Sequence, residues 1–98
     1  MIIVTGRVTA RPETIGEVLS VSLEHVRRSR TESGCLLHSV HRDVEEPLAL
    51  VFLEHWRDRE ALRAHFRVPE SRAFVKILAR LVARSAPIEI FEAEPIDL

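Results

Sequence analysis

Residues 48 to 56 read LALVFLEHW, and this strand-forming run is apolar on both of its alternating faces from Leu48 to Leu53. In a two-layer domain, helices cover only one face of a sheet. A second apolar face therefore needs a second cover. Another copy of the chain is the natural candidate, so this run predicts a sheet-and-helix fold that assembles as a homodimer.

The segments around this run alternate between strand and helix patterns. β-rich segments predict further strands over 2–10, 35–43 and 88–93. Apolar residues at helical spacing predict a first helix over 12–31. A second helix begins after an N-cap at Asp58, is interrupted by Pro69 and resumes over 70–84, and Pro87 ends it. The order β-α-β-β-α-β predicts one ferredoxin-like α+β domain over residues 1–98, with a four-stranded antiparallel sheet.

Charge and cysteine content restrict the partners and the compartment. The formal net charge is −1, so no basic excess is present to attract nucleic acid. The single cysteine, Cys35, cannot form an internal disulfide and fits a reducing compartment. Apolar runs are too short to span a membrane, and the first residues lack a signal-peptide pattern. We expect a cytoplasmic protein that binds neither membranes nor nucleic acid.

A set of spaced residues between 34 and 74 resembles a known family. The set is Gly34-Cys35-Leu36, His41-Arg42-Asp43, Glu54-His55-Trp56, Ala64-His65 and Pro69. This pattern is similar to that of the antibiotic biosynthesis monooxygenase family, which includes quinol monooxygenases. The resemblance implies a homodimer whose two sheets pack into an α/β barrel, with a pocket between each sheet and its own helices. It also implies oxidation of polyphenolic rings by dioxygen without a cofactor.

The chain departs from the family pattern at several positions, and these departures argue against a tyrosine role and against haem. The chain has no tyrosine, so a family role of tyrosine is missing, and Glu70 and Ser71 follow Pro69 where many relatives have histidine. The related haem-degrading branch uses an asparagine, a tryptophan and a histidine ligand. This chain has no asparagine and places Val75 near the ligand position. Haem is therefore disfavoured, no zinc-type spacing occurs, and we expect no cofactor and no metal.

His65 is the candidate catalytic residue. Cofactor-free oxygenation needs a base near neutral pH and donors that stabilise the substrate anion. Among the five histidines, His65 is predicted on the second helix, at helical spacing from Leu62 and adjacent to Phe66, and we expect it to face the sheet and line the pocket. The alternative is a structural histidine that packs on the sheet or caps a turn.

Five residues are candidates for contact with an aromatic substrate. Trp56 offers a stacking wall, although a packing anchor at the strand-to-helix corner is the alternative. Arg42 offers a cation for an anionic ring oxygen, or else pairs across strands with a carboxylate such as Glu54. The full set is Phe52, Trp56, Phe66, His38 and Arg42.

Two classes of function fit these residues. The first is a cofactor-independent monooxygenase acting on a quinol- or anthrone-type aromatic compound, with His65 as base. The second is a non-catalytic dimeric module that holds a hydrophobic or aromatic metabolite, and the missing tyrosine supports it. Oxygen consumption that depends on His65 distinguishes the two.

Overall fold

The computed structural model describes all 98 residues and contains four strands and three helices. In chain order the elements are β1 (Ile2–Ala10), α1 (Ile15–Ser29), β2 (Cys35–Arg42), β3 (Ala49–Trp56), α2 (Arg59–Arg67), α3 (Pro69–Leu81) and β4 (Val82–Glu92). The strands form one antiparallel sheet in the order β2-β3-β1-β4. The ferredoxin-like α+β prediction is confirmed, with the second helix divided into α2 and α3.

The three helices cover one face of the sheet because side chains alternate along each strand. On β1, Ile2, Val4, Val8 and Ala10 are buried against the helices. Two apolar clusters form there. One joins Val8, Ala10, Leu50 and Phe52 to Val18 and Val26 of α1. The other joins Ile2, Val4 and Trp56 to Ala61 and Leu62 of α2.

The buried face of β3 is not apolar throughout. Between Phe52 of the first cluster and Trp56 of the second, the same face carries Glu54. A carboxylate in such a position costs free energy unless polar or charged groups surround it. The core is therefore interrupted where the two clusters meet, and the candidate site lies at this interruption.

The helix boundaries follow local signals in the sequence. α1 is shorter than the predicted 12–31, because Arg11 to Thr14 form a turn before it. Asp58 caps α2 as predicted, and its Oδ1 accepts a hydrogen bond from the Ala61 N–H at 2.9 Å. Pro69 occupies the first turn of α3, where no backbone donor is needed, and the preceding Val68 is extended.

The end of the chain differs from the prediction of a helix to 84 and a strand over 88–93. α3 ends at Leu81 and β4 begins at Val82. Pro87 does not end a helix but lies inside β4. An edge strand tolerates proline, and the pairing register shifts here, between Thr5 and Arg7 of β1.

The second face of the sheet has no helix over it. Val51 and Leu53 of β3 lie there, and so does Phe91 of β4, which pairs with Ile3 and is 47% exposed. This is the two-faced apolar pattern that the sequence shows for residues 48–53. None of the helices combines the length and the apolar character needed to cross a membrane.

Candidate active site

Three histidines from three different elements meet beneath the helices. His25 comes from α1, His38 from β2 and His65 from α2, and each is less than a tenth exposed. Their ring centroids lie 5.3 to 5.6 Å apart. One ring nitrogen from each lies within 4.8 Å of the other two. We call His25, His38 and His65 the histidine cluster.

Glu54 on β3 lies beside the histidine cluster. Its Oε1 is 3.4 Å from Nε2 of His38, 3.9 Å from Nε2 of His65, and accepts a 2.8 Å hydrogen bond from the Trp56 indole. Burial acts to raise the pKa of Glu54, but the neighbouring His38, the Trp56 N–H and His65 outweigh it and hold the pKa below its usual range. Glu54 is therefore an anion at neutral pH.

A second carboxylate fixes the orientation of His65. Both oxygens of Glu32, in the turn after α1, lie close to Nδ1 of His65, at 3.0 and 3.1 Å. Because a carboxylate only accepts, Nδ1 carries the proton in the neutral ring, and the lone pair belongs to Nε2. Glu32 is itself held by Arg28, whose Nη1 donates to it at 2.8 Å.

His25 has the opposite arrangement. Arg28 Nη2 lies 3.2 Å from Nδ1 of His25, and a guanidinium only donates, so Nδ1 accepts and Nε2 carries the proton. The ring stacks on Phe74 with centroids 4.0 Å apart. Burial first, then His38, His65 and Arg28, lower the pKa of His25 to about 3. His25 is therefore neutral at physiological pH and presents an N–H donor.

A cavity of about 470 Å³ opens above these groups, between the sheet and α2 and α3. Ten of its 19 lining residues are hydrophobic, while His25, Glu54 and His65 form a polar floor. Arg72 and Lys76 on the outer side of α3 place cations at the mouth. This volume suits a small organic molecule, and the lining suits an apolar body with one polar end.

The structure brings most of the predicted site residues together. His65, Phe52 and Phe66 line the cavity, with Phe66 at its edge and 44% exposed. His38 belongs to the histidine cluster but lies behind the lining, and Trp56 is fully buried beneath Glu54.

Arg42 lies away from the cavity. Its Nε donates to the Pro47 carbonyl, and its partner on β3 is Leu50. Glu54 is instead opposite His38. The predicted alternative that Arg42 pairs with Glu54 is therefore wrong, because the register separates them.

Three acidic or imidazole residues of the site are absent from the sequence-based candidates, namely His25, Glu32 and Glu54. His25 lies on the buried face of α1 between Ser22 and Val26, and a histidine in such an apolar stripe was the available signal. Glu32 stands two residues before Gly34 and is 33 residues from His65, so only the folded chain reveals their contact.

By its fold and its site, the chain is a small ferredoxin-like α+β domain with a histidine-lined cavity between the sheet and its helices. Within this class, the family model for antibiotic biosynthesis monooxygenase matches residues 1–77. The chain belongs to the antibiotic biosynthesis monooxygenase family.

Two individual proteins are similar to this chain over nearly its whole length. YcnE of Bacillus subtilis, provisionally named a monooxygenase, is 30% identical over 96% of this chain and 97% of its own length. The Synechocystis protein sll1783, uncharacterised, is 34% identical over 93% of this chain, which spans only 62% of that relative.

Solved structures show the same fold. A Deinococcus radiodurans protein provisionally assigned as an antibiotic biosynthesis monooxygenase superposes with a TM-score of 0.94 at 28% identity, covering 100% of this chain and 98% of the other. A second structure named as an antibiotic biosynthesis monooxygenase gives 0.88 at 28% identity, covering 97% and 100%.

Proposed function

We propose that the protein is a cofactor-independent monooxygenase that oxidises a quinol- or anthrone-type aromatic compound with dioxygen. The observation that carries this proposal is the Glu32–His65 pair at the floor of an apolar cavity. The pair leaves Nε2 of His65 as a proton acceptor beside a space of the right size for an aromatic substrate.

The proposed reaction begins with proton transfer from the substrate to Nε2 of His65. The resulting anion is stabilised by the N–H of His25, which the contact with Arg28 assigns to Nε2 of that ring. The anion passes one electron to dioxygen, and the radical pair combines to a peroxide anion at the ring carbon. Nε2 of His65 returns its proton to this anion, which gives a hydroperoxide. Loss of water then leaves a carbonyl, so that a ring CH₂ group and O₂ become C=O and H₂O.

Glu32 supplies charge for the proton transfer. When His65 accepts a proton at Nε2, both ring nitrogens donate, and the imidazolium lies against the Glu32 carboxylate. Glu32 and its side chain partner Arg28 are both less than a quarter exposed, so solvent screens this interaction only in part. The Glu32 carboxylate therefore stabilises the positive charge that develops on the His65 ring while the substrate proton is transferred.

We also propose that the protein acts as a cytoplasmic homodimer. The uncovered sheet face with Val51, Leu53 and Phe91 supports the dimer. Burial first, with Glu32 and Glu54 nearby, raises the pKa of the Cys35 thiol, which fits a protonated, unreactive side chain in a reducing compartment.

The alternative function is a module that binds an aromatic metabolite without changing it. The predominantly hydrophobic cavity and the absence of tyrosine from the chain favour it. Such a module leaves its ligand intact in air, whereas the monooxygenase consumes oxygen with the same ligand.

The test is oxygen uptake by chelator-treated protein against a panel of quinols and anthrones. We expect uptake above the uncatalysed rate, lost in His65→Ala and kept in His41→Ala, which changes an exposed histidine on the outer part of β2. Equal uptake in both variants discards His65 as the base. No uptake on any compound, with ligand binding retained, favours the binding module.

A further inference from the structure

His38 is buried with no hydrogen-bond partner for either ring nitrogen. It is 1% exposed, and neither Nδ1 nor Nε2 makes a hydrogen bond. Nε2 faces Glu54 Oε1 at 3.4 Å, but without hydrogen-bond alignment. A buried polar group without a partner is costly, and proteins rarely keep one without a use.

Two further ligand atoms lie next to His38. Nε2 of His65 has its lone pair free because Glu32 holds Nδ1, and it lies 3.9 Å from the same oxygen of Glu54. One imidazole nitrogen of His38 lies within 4.8 Å of one of His65. Adjacent ligand atoms around a tetrahedral Zn²⁺ are roughly 3.3 Å apart, so these two nitrogens must approach each other by at most about 1.5 Å to complete a site.

His25 does not belong to this ligand set, although it lies equally close. Its Nδ1 faces the guanidinium of Arg28, and its Nε2 carries a proton. Neither nitrogen offers a lone pair to a cation while Arg28 stays in place. The stack on Phe74 keeps the ring from turning. His25 instead provides a donor beside the two free imidazole nitrogens.

The local charge favours a cation. Glu32 and Glu54 carry two negative charges, Arg28 carries one positive charge, and all three are largely buried. With neutral imidazoles these three groups leave one excess negative charge beside the histidine cluster, whereas the cations of Arg72 and Lys76 are exposed at the cavity mouth. Glu32 on the far nitrogen of His65 is also the carboxylate–imidazole arrangement that orients histidine ligands in metal sites.

We propose that His38, His65 and Glu54 bind a divalent first-row transition-metal ion through two imidazole nitrogens and one carboxylate oxygen. This ligand set leaves coordination positions open toward the cavity, and its mixture of nitrogen and oxygen ligands suits Fe²⁺, Co²⁺, Ni²⁺ or Zn²⁺ better than Mg²⁺ or Ca²⁺. The sequence spacing did not indicate this site, because its ligands come from β2, β3 and α2.

If the protein is the proposed monooxygenase, the bound ion inhibits the reaction. This inhibition rests on the proposed function. The ion occupies Nε2 of His65, the atom that accepts the substrate proton, so ion binding and base catalysis exclude each other. The metal-loaded protein is therefore the inactive form, and removal of the ion activates it.

The binding test needs no substrate. Chelator-treated protein is titrated with Co²⁺, followed by visible absorption, and with Zn²⁺, followed by calorimetry. We expect one ion per chain, with affinity lowered more than about a hundredfold in His38→Gln and in Glu54→Gln. His25→Gln keeps the affinity within about tenfold, as does the exposed control His41→Gln. Absence of binding, or equal loss in His25→Gln, overturns the proposal.

A measurement on the unaltered chain covers the case in which a variant does not fold. With ¹⁵N-labelled histidine, Zn²⁺ is expected to shift the Nε2 resonances of His38 and His65, while His41 and His55 stay unchanged. Shifts confined to His41 and His55 place the ion outside the histidine cluster and overturn the proposal. Oxygen uptake with and without Zn²⁺ is measured separately, so a failed oxygenase does not count against the ion site.

Discussion

Nδ1 of His65 lies 3.0 Å from Oε1 of Glu32, although 33 residues separate them in the chain. This contact joins the turn after α1 to the last turn of α2 and decides which nitrogen of His65 is free. In Glu32→Gln the amide oxygen still accepts the Nδ1 proton, but the negative charge is lost. We expect kcat for oxygen uptake to fall roughly ten- to hundredfold, with KM little changed.

Steady-state oxygen uptake across substrate concentrations measures kcat and KM separately for Glu32→Gln and for the unaltered chain. Glu13→Gln is the matched control, because Glu13 forms an exposed pair with Arg11 and does not line the cavity. A rise in KM at constant kcat would instead place Glu32 in substrate binding.

The uncovered sheet face predicts a dimer, and one charged substitution on this face is expected to weaken it. Val51 and Leu53 lie there, half-buried by their own sheet. In Leu53→Glu, a charge must be buried in the interface, and we expect the dissociation constant to rise at least tenfold, which is about 1.4 kcal/mol. Sedimentation velocity measures it, with the exposed loop variant Val44→Glu as control. A folded monomer at micromolar concentration, before any substitution, removes the dimer.

Gly34 is predicted to tolerate no side chain. Its φ of +84° is a conformation that other residues adopt at a cost, and an added Cβ lies 2.6 Å from the Ala61 Cβ. We expect Gly34→Ala to lower the free energy of unfolding by about 2 kcal/mol or more. Gly16→Ala is the opposite case. Nothing lies within 4 Å of its added Cβ, and a helical alanine stabilises by up to about 1 kcal/mol. Urea unfolding of both variants measures these two opposite changes in the free energy of unfolding.

The cap of α2 predicts a dependence of stability on pH. The hydrogen bond from the Ala61 N–H, the largest cause, holds the pKa of Asp58 below its usual range. Because the folded-state pKa is lowered, the stabilisation is present above the unfolded-state pKa of about 3.9 and is lost as pH falls through the folded-state value. We expect Asp58→Ala to lower Tm by a few degrees at neutral pH, and Asp58→Asn to lower it less. Thermal scans from neutral to strongly acidic pH measure Tm for Asp58→Ala and for the unaltered chain. We expect the difference between the two Tm values to become smaller as the pH falls.

The elements that bury a regular stripe were predictable from the sequence. β1 shows strict alternation, and the Asp58 cap and Pro69 mark the limits of α2 and α3 by local chemistry. The start of β4 was not predictable. Residues 83–86 are exposed on an edge strand, where no burial pattern is imposed, and the proline inside the strand gives a misleading stop signal.

The candidate site was predictable only in part. His65 and Phe52 follow from helical and strand periodicity, which fixes the face that each side chain occupies. The partners of His65 do not follow, since hydrogen bonds between distant segments have no period in the sequence. The choice of Nε2 over Nδ1 depends on Glu32, and the exclusion of His25 as a ligand depends on Arg28.

The position of Trp56 gives the chain an internal optical probe. It is the single tryptophan, it is fully buried, and its ring centroid lies 4.6 Å from that of His65 while its N–H is bonded to Glu54. Indole fluorescence responds to charges and hydrogen bonds at such distances. All tryptophan emission from the unlabelled protein therefore originates beside the histidine cluster, and a proton, ion or ligand that arrives there changes its intensity or wavelength.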